Sequence, residues 1–270
     1  MDRDPAVAGR FYSADPASLA REVDGWLASS APPAPALGLL APHAGYVYSG
    51  AIAGAGYARV TVPGRVIVLG PNHTGLGEPA ALWPDGTWRT PLGEVPIDAE
   101  LTAALLAPPG PGREPAAAPD VAAHRLEHSL EVQVPFLQRA HPGVRIAGLC
   151  LSHLSFAACE AVARAVAAAS AATGALVVAS SDMSHYVSAR EARALDHRAL
   201  ERLLALDPRG LYDVVHREGI TMCGVVPATV MLLAALARGA RTAELVRYGN
   251  SGEVNGDDRR VVGYAAAVVR

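Results

Sequence analysis

Short apolar runs alternate with longer Ala-rich stretches along most of this chain. The short runs are bounded by Gly, Pro or Ser, as buried strands usually are, and cover residues 37–41, 65–69, 144–149 and 175–179. The longer stretches have the length and composition of helices and cover residues 16–28, 49–59, 129–139, 156–172, 189–205 and 226–237. This alternation predicts an α/β fold, with helices on both faces of a central, mostly parallel mixed sheet.

Two further segments of the sequence predict additional strands. Residues 83–88, Trp-Pro-Asp-Gly-Thr-Trp, predict a hairpin turn between two short strands. The C-terminal segments 245–248 and 260–269 are predicted to pair as antiparallel strands beside the sheet. No internal repeat or shift in composition divides the chain, so residues 1–270 are expected to form one domain.

The charged residues exclude several chemistries. All 23 basic residues are Arg, so no Lys is present to form a Schiff base, anchor pyridoxal phosphate or reach a nucleotide phosphate from a P-loop. The net charge of −3, without a long basic run, argues against a nucleic-acid partner. A hydrophobic content of 51% is enough for a substantial core.

The expected compartment is the cytoplasm. The three cysteines are odd in number and lack C-x-x-C spacing, which favours a reducing environment, and the N-terminus shows no secretory pattern. The most apolar stretch, residues 156–180, is interrupted by Glu160 and Arg164 and by a turn, so no membrane span is expected. The mean hydropathy of +0.21 is compatible with buried contacts in a homo-oligomer.

Three histidines follow three predicted strands. His43, His73 and His185 stand in the turns after residues 37–41, 65–69 and 175–179. Because the carboxyl ends of parallel strands share one edge, where α/β proteins bind ligands, these imidazoles are expected to form one site. A single strand-end His is more often structural, but three equivalent positions indicate a shared function.

A cysteine and a further histidine extend this site. Cys223 precedes the predicted helix 226–237, where a thiol is expected to have a lowered pKa, and His128 precedes helix 129–139. Imidazole and thiolate are good ligands for iron, copper and zinc but poor ones for magnesium or calcium. The other cysteines are interpreted as buried, and four histidines as structural: His141, His153, His197 and His216.

Several ordered motifs extend over nearly the whole chain. They are PAVAGRFY at 5–12, APHAGY at 41–46, GPNH at 70–73, EHSLEVQVPFL at 127–137, SSDMSH at 180–185 and TMCG at 221–224. In this set the chain resembles the Memo family, which in bacteria and archaea is also called AmmeMemoRadiSam system protein B.

The resemblance implies a fold and a ligand set. The Memo family shares its fold with class III extradiol dioxygenases, which are non-heme iron enzymes with two His and one carboxylate as ligands. In Memo proteins a Cys replaces the carboxylate, and the matching metal positions here are His43, His73 and Cys223. His185 matches the acid/base His of the dioxygenases, while Asp182 and His128 match polar residues of the Memo pocket.

Three functions follow as hypotheses. The first is a non-heme oxidoreductase, dioxygenase-like, that uses ferrous iron, or else copper, and acts with O2 on a small organic substrate. In it His185, oriented by Asp182, moves protons, and His128 binds substrate or tunes a ligand. The residues expected to contact the substrate are Tyr46, Asn72 and Tyr186.

The other two hypotheses use the same residues differently. Two His and one Cys are also a known catalytic zinc set, which would make the protein a zinc hydrolase. However, no Glu accompanies His43 or His73 in a metalloprotease pattern. The third hypothesis is a non-catalytic adaptor whose metal or pocket binds a peptide, as the resemblance to animal Memo proteins implies.

Overall fold

The computed structural model describes residues 1–28, 31–110, 112 and 114–270. The strands are β1 (Asp2–Arg3), β2 (Gly38–Ala41), β3 (Arg65–Pro71), β4 (Ala80–Leu82), β5 (Thr87–Thr90), β6 (Gly93–Pro96), β7 (Ala118–Pro119), β8 (Arg145–Leu151), β9 (Leu176–Ser180), β10 (His185–Val187), β11 (Ala243–Asn250) and β12 (Val261–Val269). The α-helices are α1 (Pro16–Leu27), α2 (Tyr46–Tyr57), α3 (Ala99–Leu105), α4 (Ala122–Arg125), α5 (Val134–Ala140), α6 (Phe156–Thr173), α7 (Ala189–Leu204), α8 (Pro208–Glu218), α9 (Val225–Ala237) and α10 (Gly252–Asn255).

One large mixed sheet organises the molecule. Its strands run in the order β10, β12, β2, β9, β3, β8, β4 and β7, and β11 pairs with β12. The central strands β2, β9, β3 and β8 are parallel, whereas β12 and β4 flank them antiparallel. The predicted single α/β domain with a mixed, mostly parallel sheet is confirmed, as is the antiparallel C-terminal pair.

Both faces of the sheet are buried, which explains why its central strands are almost continuously apolar. Leu40, Ile67 and Val177 point to the side covered by α6 and α9. Their neighbours Leu39, Val66 and Val178 point to the side covered by α1, α2 and α5. Because successive side chains of a strand face opposite ways, two separate cores form from one set of strands.

The predicted hairpin at 83–88 is wrong. β4, which precedes this turn, pairs with β7 and β8 in the large sheet. β5, which follows it, pairs with β1 and β6 in a separate three-stranded sheet. Trp83 and Trp88 are both buried, with rings packed edge to face at 6.0 Å, so the turn carries the chain from one sheet to the other.

Helix boundaries near the sheet edge differ from the predicted ones. α2 begins at Tyr46, directly after the turn that carries His43. The predicted helix 129–139 is a 3₁₀ turn at Glu131–Gln133 followed by α5, so residues 129 and 130 remain in a loop at this edge. α6 is long and apolar enough to cross a membrane by length and composition, and here it packs against α9 and α3.

Candidate metal centre

His43, His73 and Cys223 meet at the carboxyl edge of the parallel strands. His43 follows β2 and His73 follows β3, and β9 lies between these two strands. Cys223 reaches the same place from the loop before α9. One ligand atom of each residue lies within 4.8 Å of the others, and His43 Nε2 is 3.2 Å from Cys223 Sγ.

Hydrogen bonds fix which nitrogen of His43 is available to a metal. Ser180 Oγ donates its hydrogen to the Ser129 carbonyl at 2.6 Å and accepts one from Gln133 Nε2 at 2.8 Å. Since its only hydrogen is used, it can meet His43 Nδ1, at 2.9 Å, only as an acceptor. His43 Nδ1 therefore carries the proton, and the lone pair of Nε2 faces Cys223.

A buried carboxylate does the same for His73. Glu127 Oε1 accepts from His73 Nδ1 at 2.9 Å, and Oε2 accepts from the His73 backbone N–H at 2.6 Å. Burial raises the pKa of Glu127, but its bonds to His73 and to the Ser129 N–H outweigh that effect and lower the pKa to about 2. A carboxylate on the far nitrogen of a metal-binding His is a recurrent arrangement that also raises the basicity of the ligand.

The electrostatics of the site suit a bound cation. Burial lowers the pKa of His43 well below its usual value, and the neighbouring His128 and His73 add to this, so the ring is neutral. Burial, followed by repulsion from Asp182, raises the pKa of the Cys223 thiol, although the Asp182 and Gly224 N–H groups oppose the shift. The expected lowering of this pKa by the helix terminus alone is therefore wrong. A metal ion would supply the positive charge that favours a thiolate.

The three residues fit a metal ion by donor type and spacing. Ligand bonds of about 2.0–2.3 Å arranged tetrahedrally separate neighbouring donor atoms by roughly 3.5 Å. The His43 Nε2–Cys223 Sγ distance of 3.2 Å is close to that value, and all three donor atoms lie within 4.8 Å of one another. Two neutral imidazoles and one sulfur suit iron, copper or zinc.

Asp182 and His128 lie beside the ligands. Asp182 Oδ1 accepts from the backbone N–H groups of His43 at 2.7 Å and Ala44 at 3.2 Å, so it holds the turn that presents His43. Burial raises the pKa of Asp182 to about 6. The His128 ring stacks on His73 at 4.6 Å, and burial lowers its pKa to about 4.

Thr221 orients His185. The backbone N–H of His185 donates to Thr221 Oγ1 at 2.7 Å, and the His185 Nδ1 lies 2.9 Å from the Thr221 carbonyl oxygen. A carbonyl can only accept, so Nδ1 is the donor of this bond and Nε2 is the nitrogen that remains for another partner. This orienting role was predicted for Asp182, but the carboxylate of Asp182 is directed at the backbone of residues 43 and 44 instead.

The residues expected to contact substrate are placed differently from one another. Tyr46 is buried in the core and donates its hydroxyl to the Val132 carbonyl at 2.6 Å, so it faces away from an incoming molecule. Asn72 Oδ1 accepts from Thr74 and Gly75 and thereby closes its own loop. Tyr186 is 65% exposed next to His185 and has a φ of 62°, which is uncommon for a side chain of this size.

A cavity of about 560 Å³ adjoins the ligands His73 and Cys223. Its wall includes His153 and His216, which sequence analysis treated as structural. Glu127, Ser180 and Thr221 were also missed as site residues. The position of Glu127 directly before His128 in the chain could have marked it as a site residue. Ser180 and Thr221 are recognised only from their contacts in the structure.

Comparison with known proteins shows the family to which the chain belongs. The sequence pattern of the Memo-like protein family matches residues 3–268. A MEMO1 family protein of Aquifex aeolicus is 41% identical, with 98% of each chain covered, and one of Archaeoglobus fulgidus is 41% identical, with 99% of each covered. A MEMO1 family protein of Methanopyrus kandleri is 39% identical over 100% of this chain and 99% of its own. The protein with this His/His/Cys cluster therefore belongs to the Memo family.

Proposed function

We propose that this protein is a metal-dependent oxidoreductase that acts with O2 on a small organic substrate. The observation that carries the proposal is the convergence of His43, His73 and Cys223, with donor atoms within 4.8 Å of one another. Bound ferrous iron, or else copper, would supply the redox chemistry toward O2 that protein side chains lack.

The surrounding residues prepare the three ligands for that task. Ser180 and Glu127 each hold the Nδ1 of one imidazole, so that both Nε2 lone pairs are free and oriented. Asp182 fixes the backbone of the His43 turn and places its own N–H 3.3 Å from Cys223 Sγ. Such outer contacts limit the motion of the ligands and favour one geometry.

His185 is the residue proposed to move protons. Thr221 holds its Nδ1, which leaves Nε2 as an acceptor at the edge of the site. His185 also contributes to the field at His43 and Asp182, so it lies close to the ligands. His128 is buried against His73 and its lowered pKa keeps it neutral, which suits a hydrogen-bonding or tuning role.

Metal analysis of protein purified without oxygen tests this proposal. We expect about one equivalent of iron or copper in the wild type and a loss of it in Cys223→Ala. Cys159→Ala is the matched control, because Cys159 is buried in α6 and outside the cluster. A wild type without iron or copper would contradict the proposal, and stoichiometric zinc with hydrolytic activity would favour the zinc hydrolase.

A second candidate function, peptide binding, is favoured by exposed apolar side chains beside the site residues. Leu126 is 70% exposed one position before Glu127, and Tyr186 is 65% exposed next to His185. Leu76 is 50% exposed in the loop that follows His73. Isolated exposed apolar residues are common, but these flank one site, as the anchor points of a binding surface would.

The two candidates respond differently to loss of the metal. An adaptor that uses its surface should retain a peptide partner in the Cys223→Ala variant and lose it in Leu126→Ser. The oxidoreductase should show the opposite pattern, with O2 consumption abolished by Cys223→Ala and unchanged by Leu126→Ser.

A further inference from the structure

We propose that the cavity beside His73 and Cys223 binds a small carboxylic acid with an apolar body. This assignment names the substrate class of the oxidoreductase and, as a substrate pocket, rests on the function proposed above. Binding of the acid itself depends only on the cavity. The volume of about 560 Å³ is in the usual range for small-molecule pockets.

The walls of the cavity are apolar over most of their length. Leu151 comes from the end of β8, Val215 from α8, and Ile220 and Met222 from the loop that leads to Cys223. All four side chains are at least nine-tenths buried, so the wall is packed from behind by the rest of the fold. Such a wall favours a ring or a short hydrocarbon chain.

The polar groups of the cavity indicate the charge of the ligand. His153 and His216 line it as exposed side chains, and no Asp or Glu does so among the residues that the structure describes. The His216 Nδ1 donates to the Tyr212 carbonyl at 2.7 Å, which holds the ring, and a carboxylate in the cavity would bind the imidazolium form, in which Nε2–H also donates. No hydrogen bond engages the His153 ring within the described part of the chain. An imidazole that takes up a second proton is a cation with two N–H donors, and the described lining holds no carboxylate, so the two histidines favour an anion over a cation.

The position of the cavity links these features to the metal centre. His73 and Cys223 line the same space as the two histidines, so one molecule can contact both. Thr221, which orients His185, also lines it. We infer that the acid lies with its carboxylate toward His153 and His216 and its apolar body toward the metal ligands.

Methyl NMR of the full-length protein can test the binding site without any metal. The chain has four methionines, which are Met1, Met183, Met222 and Met231. Labelling their methyl groups with ¹³C therefore gives a spectrum of only four methionine signals. Met222 lines the cavity, whereas Met183 and Met231 are buried elsewhere and serve as internal references. The probes are 3-phenylpropionate, its neutral amide and the cationic 3-phenylpropylamine, each titrated into metal-free protein.

We expect 3-phenylpropionate to shift Met222 selectively and to bind about tenfold more tightly than the amide, because hydrogen bonds to a charged group are the stronger ones. The double variant His153→Gln/His216→Gln should remove this preference. His141→Gln, which removes an imidazole outside the cavity, should leave it unchanged. An unshifted Met222, equal binding of acid and amide, or an unaffected double variant would overturn the proposal.

These outcomes separate the pocket from the proposed redox function. If the acid binds as expected but the protein holds no iron or copper, the oxidoreductase proposal fails and the carboxylate site stands. If the metal is present but Met222 does not respond, the substrate class fails and the metal centre stands.

Discussion

Replacing Glu127 by Gln should weaken metal binding by changing a residue that is not itself one of the three ligands. Glu127 Oε1 accepts from His73 Nδ1 at 2.9 Å and from the Ser129 N–H at 2.8 Å, while Oε2 accepts from the His73 N–H at 2.6 Å. Both oxygens thus face donors. An amide at this position must point its NH₂ group at one of them, whichever way it is turned.

The size of the expected loss in metal affinity follows from this contact between two hydrogen-bond donors. An unsatisfied donor in a buried site costs about 1–3 kcal/mol, and loss of the negative charge lowers the basicity of His73 as a ligand. Loss of an outer-shell partner of this kind typically lowers metal affinity by about 10–100-fold. We therefore expect the dissociation constant of the metal to be about 10–100-fold larger in Glu127→Gln than in the wild type, with His73 still in place.

Competition of the protein with a chromophoric chelator under anaerobic conditions measures this change. Asp98→Asn is the matched control, because Asp98 is an equally buried acid, paired with Arg65 and Arg145 at the other end of β3 from His73. Asp98→Asn should lose stability but keep its metal affinity. If Glu127→Gln binds metal within twofold of the wild type, the orienting role assigned to Glu127 is refuted.

Three further predictions concern stability. Burial lowers the pKa of His124 to about 4, so this side chain is protonated at a lower pH in the folded state than in the unfolded chain. As the pH falls from 6.5 to 4, this difference should remove about 3 kcal/mol of stability, and His124→Gln should show a correspondingly smaller loss in urea unfolding. Glu131→Gln removes the negative charge that lies 2.7 Å from the buried Arg3 guanidinium and should cost about 3–5 kcal/mol in the same assay; a cost below 1 kcal/mol would contradict the importance of the charge pair. Gly54→Ala would place a Cβ 2.3 Å from Trp26 Cβ, and the resulting overpacking should lower the melting temperature although Ala favours a helix; an unchanged or higher value would show that α1 can move aside.

The buried pair Arg3–Glu131 gives a physical reason for two of the sequence motifs. Glu131 accepts hydrogen bonds from Ala6 N, Val7 N and the Tyr12 hydroxyl, so the motif at 127–137 holds the motif at 5–12. Arg3 in turn donates to the carbonyl oxygens of His124 and Glu127. The N-terminal segment therefore supports the loop that carries Glu127 and His128.

Local signals account for the elements that were predicted correctly. Asp15 followed by Pro16 predicts the start of a helix, and Asp15 Oδ1 does accept from the Ser18 N–H at 2.8 Å. Asp207 followed by Pro208 is the same signal and begins α8, and Gly219 marks its end, although this helix was not predicted. This helix supplies Val215 and His216 to the cavity, so missing it also concealed the pocket.

The resemblance of the motifs to the Memo family identified His43, His73 and Cys223 as the residues that could hold a metal. The sequence by itself determined the alternation of strands and helices and the single α/β domain. Those features depend on the order of apolar and polar residues along the chain and on the chemical type of each side chain. The tertiary structure alone decided that Glu127 and Ser180 orient the ligands, that Thr221 rather than Asp182 holds His185, and that Tyr46 lies in the core. The tertiary structure also places His153 and His216 in the lining of one cavity. These facts depend on contacts between distant segments, such as that of Ser180 with His43, which are 137 positions apart, and local sequence carries no record of such contacts.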